Sequence, residues 1–202
     1  MTGAQFITEV KVKLNRLDTS SYEDVRPEEV LYFGYEALKA VTLEYDQFRN
    51  KIKLGREGVL NYLASLTKSS PEENLVNNKI TLPDMFKLKD VTVLVSIDNE
   101  SAWMPTRFED NVGTSREEYN PFLKSYPDMP KFRLIDSNIE FETNGFDCQK
   151  IKYDYLVYPI PFDENTDMTM VFISDLQDKT VTLILENLES RRLQSQPVVS
   201  NS

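Results

Sequence analysis

Carboxylates are the only plausible catalytic groups in this sequence. Asp84, Asp90, Asp98, Glu100, Glu109 and Asp110, then Asp154, Asp163, Glu164 and Asp167, fall in the middle and later part of the chain. Paired acids could hold magnesium for phosphodiester hydrolysis or flank a glycosidic bond. None stands in an EF-hand loop, a P-loop or a G-x-S-x-G turn. In a chain of net charge −10, acids in loops are first of all a solvated surface. The sequence contains no histidine. That removes the commonest general base, the triads that depend on it, and most zinc and non-haem iron sites. The single Cys148 excludes an intrachain disulfide and reads as a small buried hydrophobe. No catalytic residue, metal ligand or cofactor-binding residue is assigned from the sequence, and no cofactor is expected.

A second group of residues suits contact rather than catalysis. Trp103 and Arg107, followed by Tyr119, Phe122 and Tyr126, lie in a stretch rich in Asn, Pro, Tyr and acids. Such rings could stack bases or sugars. Glu109, Asp110, Glu117 and Glu118 surround them, however, and disfavour an anionic ligand. Aromatics in a long loop serve better as anchors on the core or on a neighbouring chain. Arg191 and Arg192, near the end of the last apolar-periodic segment, suit the negative end of a helix; contact with DNA or a partner is the sharper reading. These seven residues are the candidate interface.

The elements that must position them alternate in period. Thr2 and Gln5 have capping-box spacing, and Phe6, Ile7, Val10, Leu14 and Leu17 form a helical stripe ending near Asp18. After a polar loop from Asp18 to Ser21, Pro27 stands at a first helical position with Glu28 and Glu29 behind it. Val30, Leu31, Phe33, Leu38, Val41, Tyr45 and Phe48 then predict a long helix that Gly55 can stop. A shorter helix over about Arg56 to Thr67 ends at Lys68-Ser-Ser-Pro71. From there the period is two: Val91 to Ile97 is β-branched, and Phe132–Ile135 with Ile139–Glu142 predicts a hairpin around Asp136-Ser-Asn138. Ile151 to Tyr155 alternates and runs into Leu156-Val-Tyr158, which Pro159 and Pro161 end, and a last short strand is expected over Met168 to Ile173. Ser174 and Gln177 repeat the capping-box spacing before a closing helix.

The expected fold class is therefore α+β. Residues 1–68 form part of a helical bundle, and 69–173 a β-rich region with a long loop at 101–131. Residues 174–193 form a helix packing back on the bundle, and 194–202 a flexible tail. With 202 residues and 40% apolar content, the chain is large enough to bury a core. No apolar stretch is long enough to span a membrane, and the start MTGAQFITEV has no basic leader or apolar signal core. A cytosolic, acidic protein is expected, and one that repels nucleic acid outside any local basic patch.

Three segments resemble the head-to-tail connector, or adaptor, ring proteins of tailed bacteriophages, especially short-tailed and crAss-like ones. They are the opening FITEVKVKLNRL with RPEEVLYFGYEALKAVTLEYDQF, the middle MPKFRLIDSNIEFE with KIKYDYLVYPIPF, and the closing ISDLQDKTVTLILENLESRRLQSQ. The resemblance implies a virion structural protein without enzymatic activity, assembled in the bacterial host cytoplasm. It implies a homo-oligomeric ring, commonly twelvefold, docked on the portal protein or on other tail or neck rings, with DNA only as passing cargo and no membrane. The competing reading is a metal-dependent, carboxylate-based hydrolase of phage origin.

Overall fold

The structure, a computed structural model, describes residues 1–17, 25–49, 57–97, 100–109 and 125–195. The loop expected at Asp18–Ser21, the stop at Gly55, and Tyr119 and Phe122 lie outside the described residues. The fold is α+β. The chain divides into two compact units, Met1–Ser65 with Pro159–Ser202, and Leu66–Tyr158.

The first unit holds helices α1 (Gly3–Leu17), α2 (Pro27–Gln47), α3 (Glu57–Leu66, to its penultimate residue) and α4 (Ile173–Ser195). The capping box of α1 forms as its spacing predicts. Thr2 N–H donates to Gln5 Oε1 at 2.9 Å, and Gln5 N–H to Thr2 Oγ1 at 3.3 Å. Phe6, Ile7, Val10 and Leu14 are buried, whereas Leu17, the last residue of the expected stripe, is exposed. At the start of α2 the Arg26 N–H donates to Glu29 Oε2 at 3.1 Å. α2 ends at Gln47, well before Gly55. Against α1 and α2 packs α4, which buries Leu176, Val181 and Ile184. The capping box expected at Ser174 and Gln177 is not what Gln177 does. Its amide reaches α1 instead and donates to Glu9 Oε2.

Segment 159–172 is a strap of irregular backbone over these helices, not the short strand expected at Met168–Ile173. Its pairing is reduced to one bridge, Thr2 with Asp167, and its backbone works as a cap. Gly3 N–H donates to Thr166 O at 3.0 Å and Ala4 N–H to Glu164 O at 2.9 Å, satisfying donors that a helix start leaves open. Phe162 meets Phe6 edge-on at 5.3 Å, and Phe172 lies between Tyr45 and Tyr62 at 5.6 and 5.0 Å. Anchoring by aromatic rings, rather than by a ladder, explains why Val171 stays exposed despite its β-branched side chain.

The second unit is a pair of sheets. One has the order β1-β9-β4-β5, with β2 also on β9; the other is β3-β8-β7-β6. The strands are β1 (Thr67–Ser69), β2 (Glu73–Asn74), β3 (Lys79–Thr81), β4 (Lys87–Ile97), β5 (Glu100–Pro105), β6 (Arg107–Phe108), β7 (Lys131–Ile135), β8 (Asn138–Glu142) and β9 (Asp147–Leu156). Val91, Val93 and Val95 on β4, with Ile151 and Tyr153 on β9, share one core with Phe132, Ile139 and Phe141 of the second sheet. The predicted hairpin forms as β7 and β8, with Asp136 at φ +54° in its turn.

Four expected boundaries are corrected. The bundle part at 1–68 ends earlier, because Thr67 already pairs with Leu156 in β1. The β-rich region 69–173 stops at Tyr158, since segment 159–172 belongs to the helical unit. The loop 101–131 is strand at its start: Val95 faces Ala102, Val93 faces Met104 and Leu94 faces Trp103 across β4 and β5. Of the tail expected at 194–202, the first two residues are helix and the rest lie outside the described residues.

Candidate functional site

β5 carries Trp103 because β4 needs an antiparallel neighbour, and strand alternation then sends alternate side chains to opposite faces. Met104 turns toward the core, while Trp103 stands opposite Leu94 on the other face. Lys152 of β9 lies over the indole, with Nζ 4.3 Å from the ring centroid. Glu72 ties this face together, at 2.9 Å from Lys152 Nζ and 3.4 Å from Lys150 Nζ. The two ammonium groups hold the Glu72 carboxyl below its ordinary pKa, the Lys152 hydrogen bond being the larger cause. Nothing in the sequence pointed to Glu72, Lys150 or Lys152; the alternating lysines of Lys150-Ile-Lys152 were the available signal.

After Thr106, whose N–H and hydroxyl both donate to Val91 O, the chain passes to the second sheet. There Arg107 is exposed on β6, and its N–H donates to Pro130 O at 2.9 Å. Tyr126 bridges to Met129 in a turn whose Pro127 and Asp128 line an open cleft with Val95, Ala102 and Met104. On these elements large apolar side chains remain in water: Trp103 is 37% exposed, Phe108 52%, Tyr126 48% and Met129 51%. On the second sheet, nearly fully buried Lys131 pairs with Glu109 at 2.9 Å, and Arg133 stands 3.9 Å from Glu109 and 3.8 Å from Glu142.

Trp103, Arg107 and Tyr126 thus belong to one unit, on β5, β6 and the adjoining turn. Arg191 belongs to the helical unit and does not cap its own helix, which runs on to Ser195. It donates to Glu29 Oε1 at 3.1 Å, joining α4 to the start of α2. The Arg26 N–H first, and Arg191 after it, hold Glu29 below the ordinary carboxylate range. Arg192 lies within α4, and its side chain is outside the described residues.

The acids do not assemble into a reaction centre among the described residues. Asp90 and Asp154 stand opposite each other on β4 and β9, beside Ser69, Ser70 and Lys152. No group of three or more acids or cysteines among the described residues could hold a metal ion. Asp163 accepts from Thr166 Oγ1 at 2.8 Å and from Asn165 N–H at 3.0 Å, which lowers its pKa and shapes the loop capping α1. Burial, with Asp147 adding to it, pushes the Cys148 thiol up to about 12, leaving it protonated and unreactive at neutral pH. Burial and the bond to Glu73 push Tyr153 to about 12 as well. Among the described residues no helix is long and apolar enough to cross a membrane. Neither a known family model nor a curated protein matches this chain.

Proposed function

We propose that the protein is a virion structural subunit, one member of an oligomeric ring in the head-to-tail connector or tail barrel of a short-tailed bacteriophage. The observation that carries this reading is the exposed apolar set on β5, β6 and the 126–129 turn. Trp103, Phe108, Tyr126 and Met129 are each partly exposed on these elements of the β unit. Exposed apolar clusters with polar rims mark contact surfaces. A closed ring presents the same two complementary surfaces at every joint, so one such patch per subunit serves each joint of the ring. The segments whose sequences resemble connector proteins form an opening helix pair, a hairpin followed by strand β9, and a closing helix on the first two, an order that supports this reading. The portal protein and adjoining rings are the proposed partners. DNA passes as cargo, and a net charge of −10 favours a channel wall that does not hold phosphate.

The test is mass spectrometry on purified particles of the phage that encodes the chain. The reading requires the protein in particles at a ring's copy number, together with the portal. A chain that stays in the cell lysate and is absent from particles would overturn it.

A further inference from the structure

Asn144-Gly145 is the one Asn-Gly pair in the sequence. It sits in the bend between β8 and β9, where both residues are exposed. Neither the Asn144 amide nor the Gly145 N–H has a hydrogen-bond partner among the described residues. Gly145 has φ +78°, and a Cβ placed on it would meet nothing within 4 Å. The backbone nitrogen therefore has no side chain of its own beside it, and the space where one would stand is open at an exposed residue. Positive φ favours glycine at this place, so the fold itself keeps the reactive dipeptide.

We propose that Asn144 is a site of spontaneous covalent modification in the folded protein, deamidation through a cyclic imide. This does not depend on the ring reading. Deprotonated by hydroxide, the Gly145 nitrogen attacks Asn144 Cγ. A C–N bond forms, the Cγ–Nδ2 bond breaks, and ammonia leaves. Water then opens the imide at either carbonyl, which gives aspartate or isoaspartate; nothing is oxidised or reduced. Either product adds a carboxylate between Glu142 and Asp147. Isoaspartate also lengthens the main chain just before Phe146, a buried anchor of the β unit's core.

A matched control lies in the same tryptic peptide. Leu134–Lys150 also contains Asn138, which precedes the buried, β-branched Ile139 in β8. Full-length protein is incubated at mildly alkaline pH and sampled by peptide mass spectrometry, with a parallel sample unfolded in urea. The expected result is loss of the amide at Asn144 in the native protein, nearly as fast as in urea, while Asn138 keeps its own. Asn144→Gln should abolish the signal, and isoaspartate should appear beside aspartate. If native Asn144 outlasts the incubation that converts it in urea, the fold shields the site and the proposal fails. It fails equally if Asn138 reacts as fast in the native state.

Discussion

Replacing Gly3 with alanine should destabilise the helical unit, although helix propensity argues the opposite. In an exposed helix Ala is favoured over Gly by about 1 kcal/mol. At Gly3 the added Cβ would fall on the Asp163 carbonyl oxygen, with Asp163 C at 2.8 Å and Glu164 Cα at 3.0 Å. Ordinary carbon contacts lie near 3.5–4.0 Å. The obstruction is backbone, so the 163–166 loop must move, and that loop supplies the carbonyls capping Gly3 and Ala4. Overpacking costs about 1–3 kcal/mol, and losing one of these two capping hydrogen bonds costs about 1 kcal/mol more. Set against the propensity gain, a net loss of about 1–3 kcal/mol remains. Gly58→Ala is the internal comparison. Its Cβ would press on Val171 Cγ2, with Val171 Cβ at 3.1 Å, so the obstruction is a side chain 63% exposed rather than a capping backbone. That variant should lose less stability than the Gly3 variant. Thermal melts followed by far-UV circular dichroism compare the two, with the Gly3 variant lower by about 2–10 °C. A Gly3→Ala protein at least as stable as its parent would show that the strap does not hold the start of α1 as described.

Ile184→Asp places a charge in the α4 contact with the helical core and should abolish the helical unit's melt, read by circular dichroism. Lys131→Met breaks a nearly buried ion pair and should cost about 3 kcal/mol in urea titration, whereas breaking the exposed Lys79–Glu140 pair by Lys79→Met should cost at most about 1 kcal/mol. Glu29 has a folded-state pKa below its unfolded one, so its contribution is present above the ordinary carboxylate range and is lost as pH falls through the lowered value. Glu29→Gln should therefore lower stability at neutral pH and flatten the acid limb of a stability-against-pH curve. Cys148, with its thiol pushed to about 12 by burial, should resist alkylation in the native state at neutral pH and react on unfolding.

Helices were the most legible part of the chain. The capping box at Thr2 and Gln5, the proline at Pro27 and the wide stripe of α2 act locally, and local rules read them well. What escaped was decided by distant partners. β5 has the composition Glu-Ser-Ala-Trp-Met-Pro, without a β-branched residue, and becomes strand because β4 offers it a ladder. β1 and β2 are too short for any pattern and exist through pairing with β9. Met168–Ile173 carried the opposite error, since apolar residues there suggested a ladder where rings dock on helices. At the candidate interface, Trp103 was visible as a lone aromatic. Lys152 and Glu72 were not, since 49 and 31 residues of sequence separate them from it.

The β unit is inserted into the helical unit, whose chain leaves at Ser65 and resumes at Pro159. This order has a consequence for synthesis on the ribosome. The first three helices emerge with their apolar faces uncovered, and the strap and α4 that close over them begin 94 and 108 residues after Ser65. At about 5–20 residues per second, that interval lasts on the order of 5–20 s. Meanwhile Leu66–Tyr158 emerges as one continuous stretch holding every described strand, and it can fold while the helices wait. The nascent helical half is the part exposed to chaperones and proteases, and a message truncated before Ile173 leaves it permanently open.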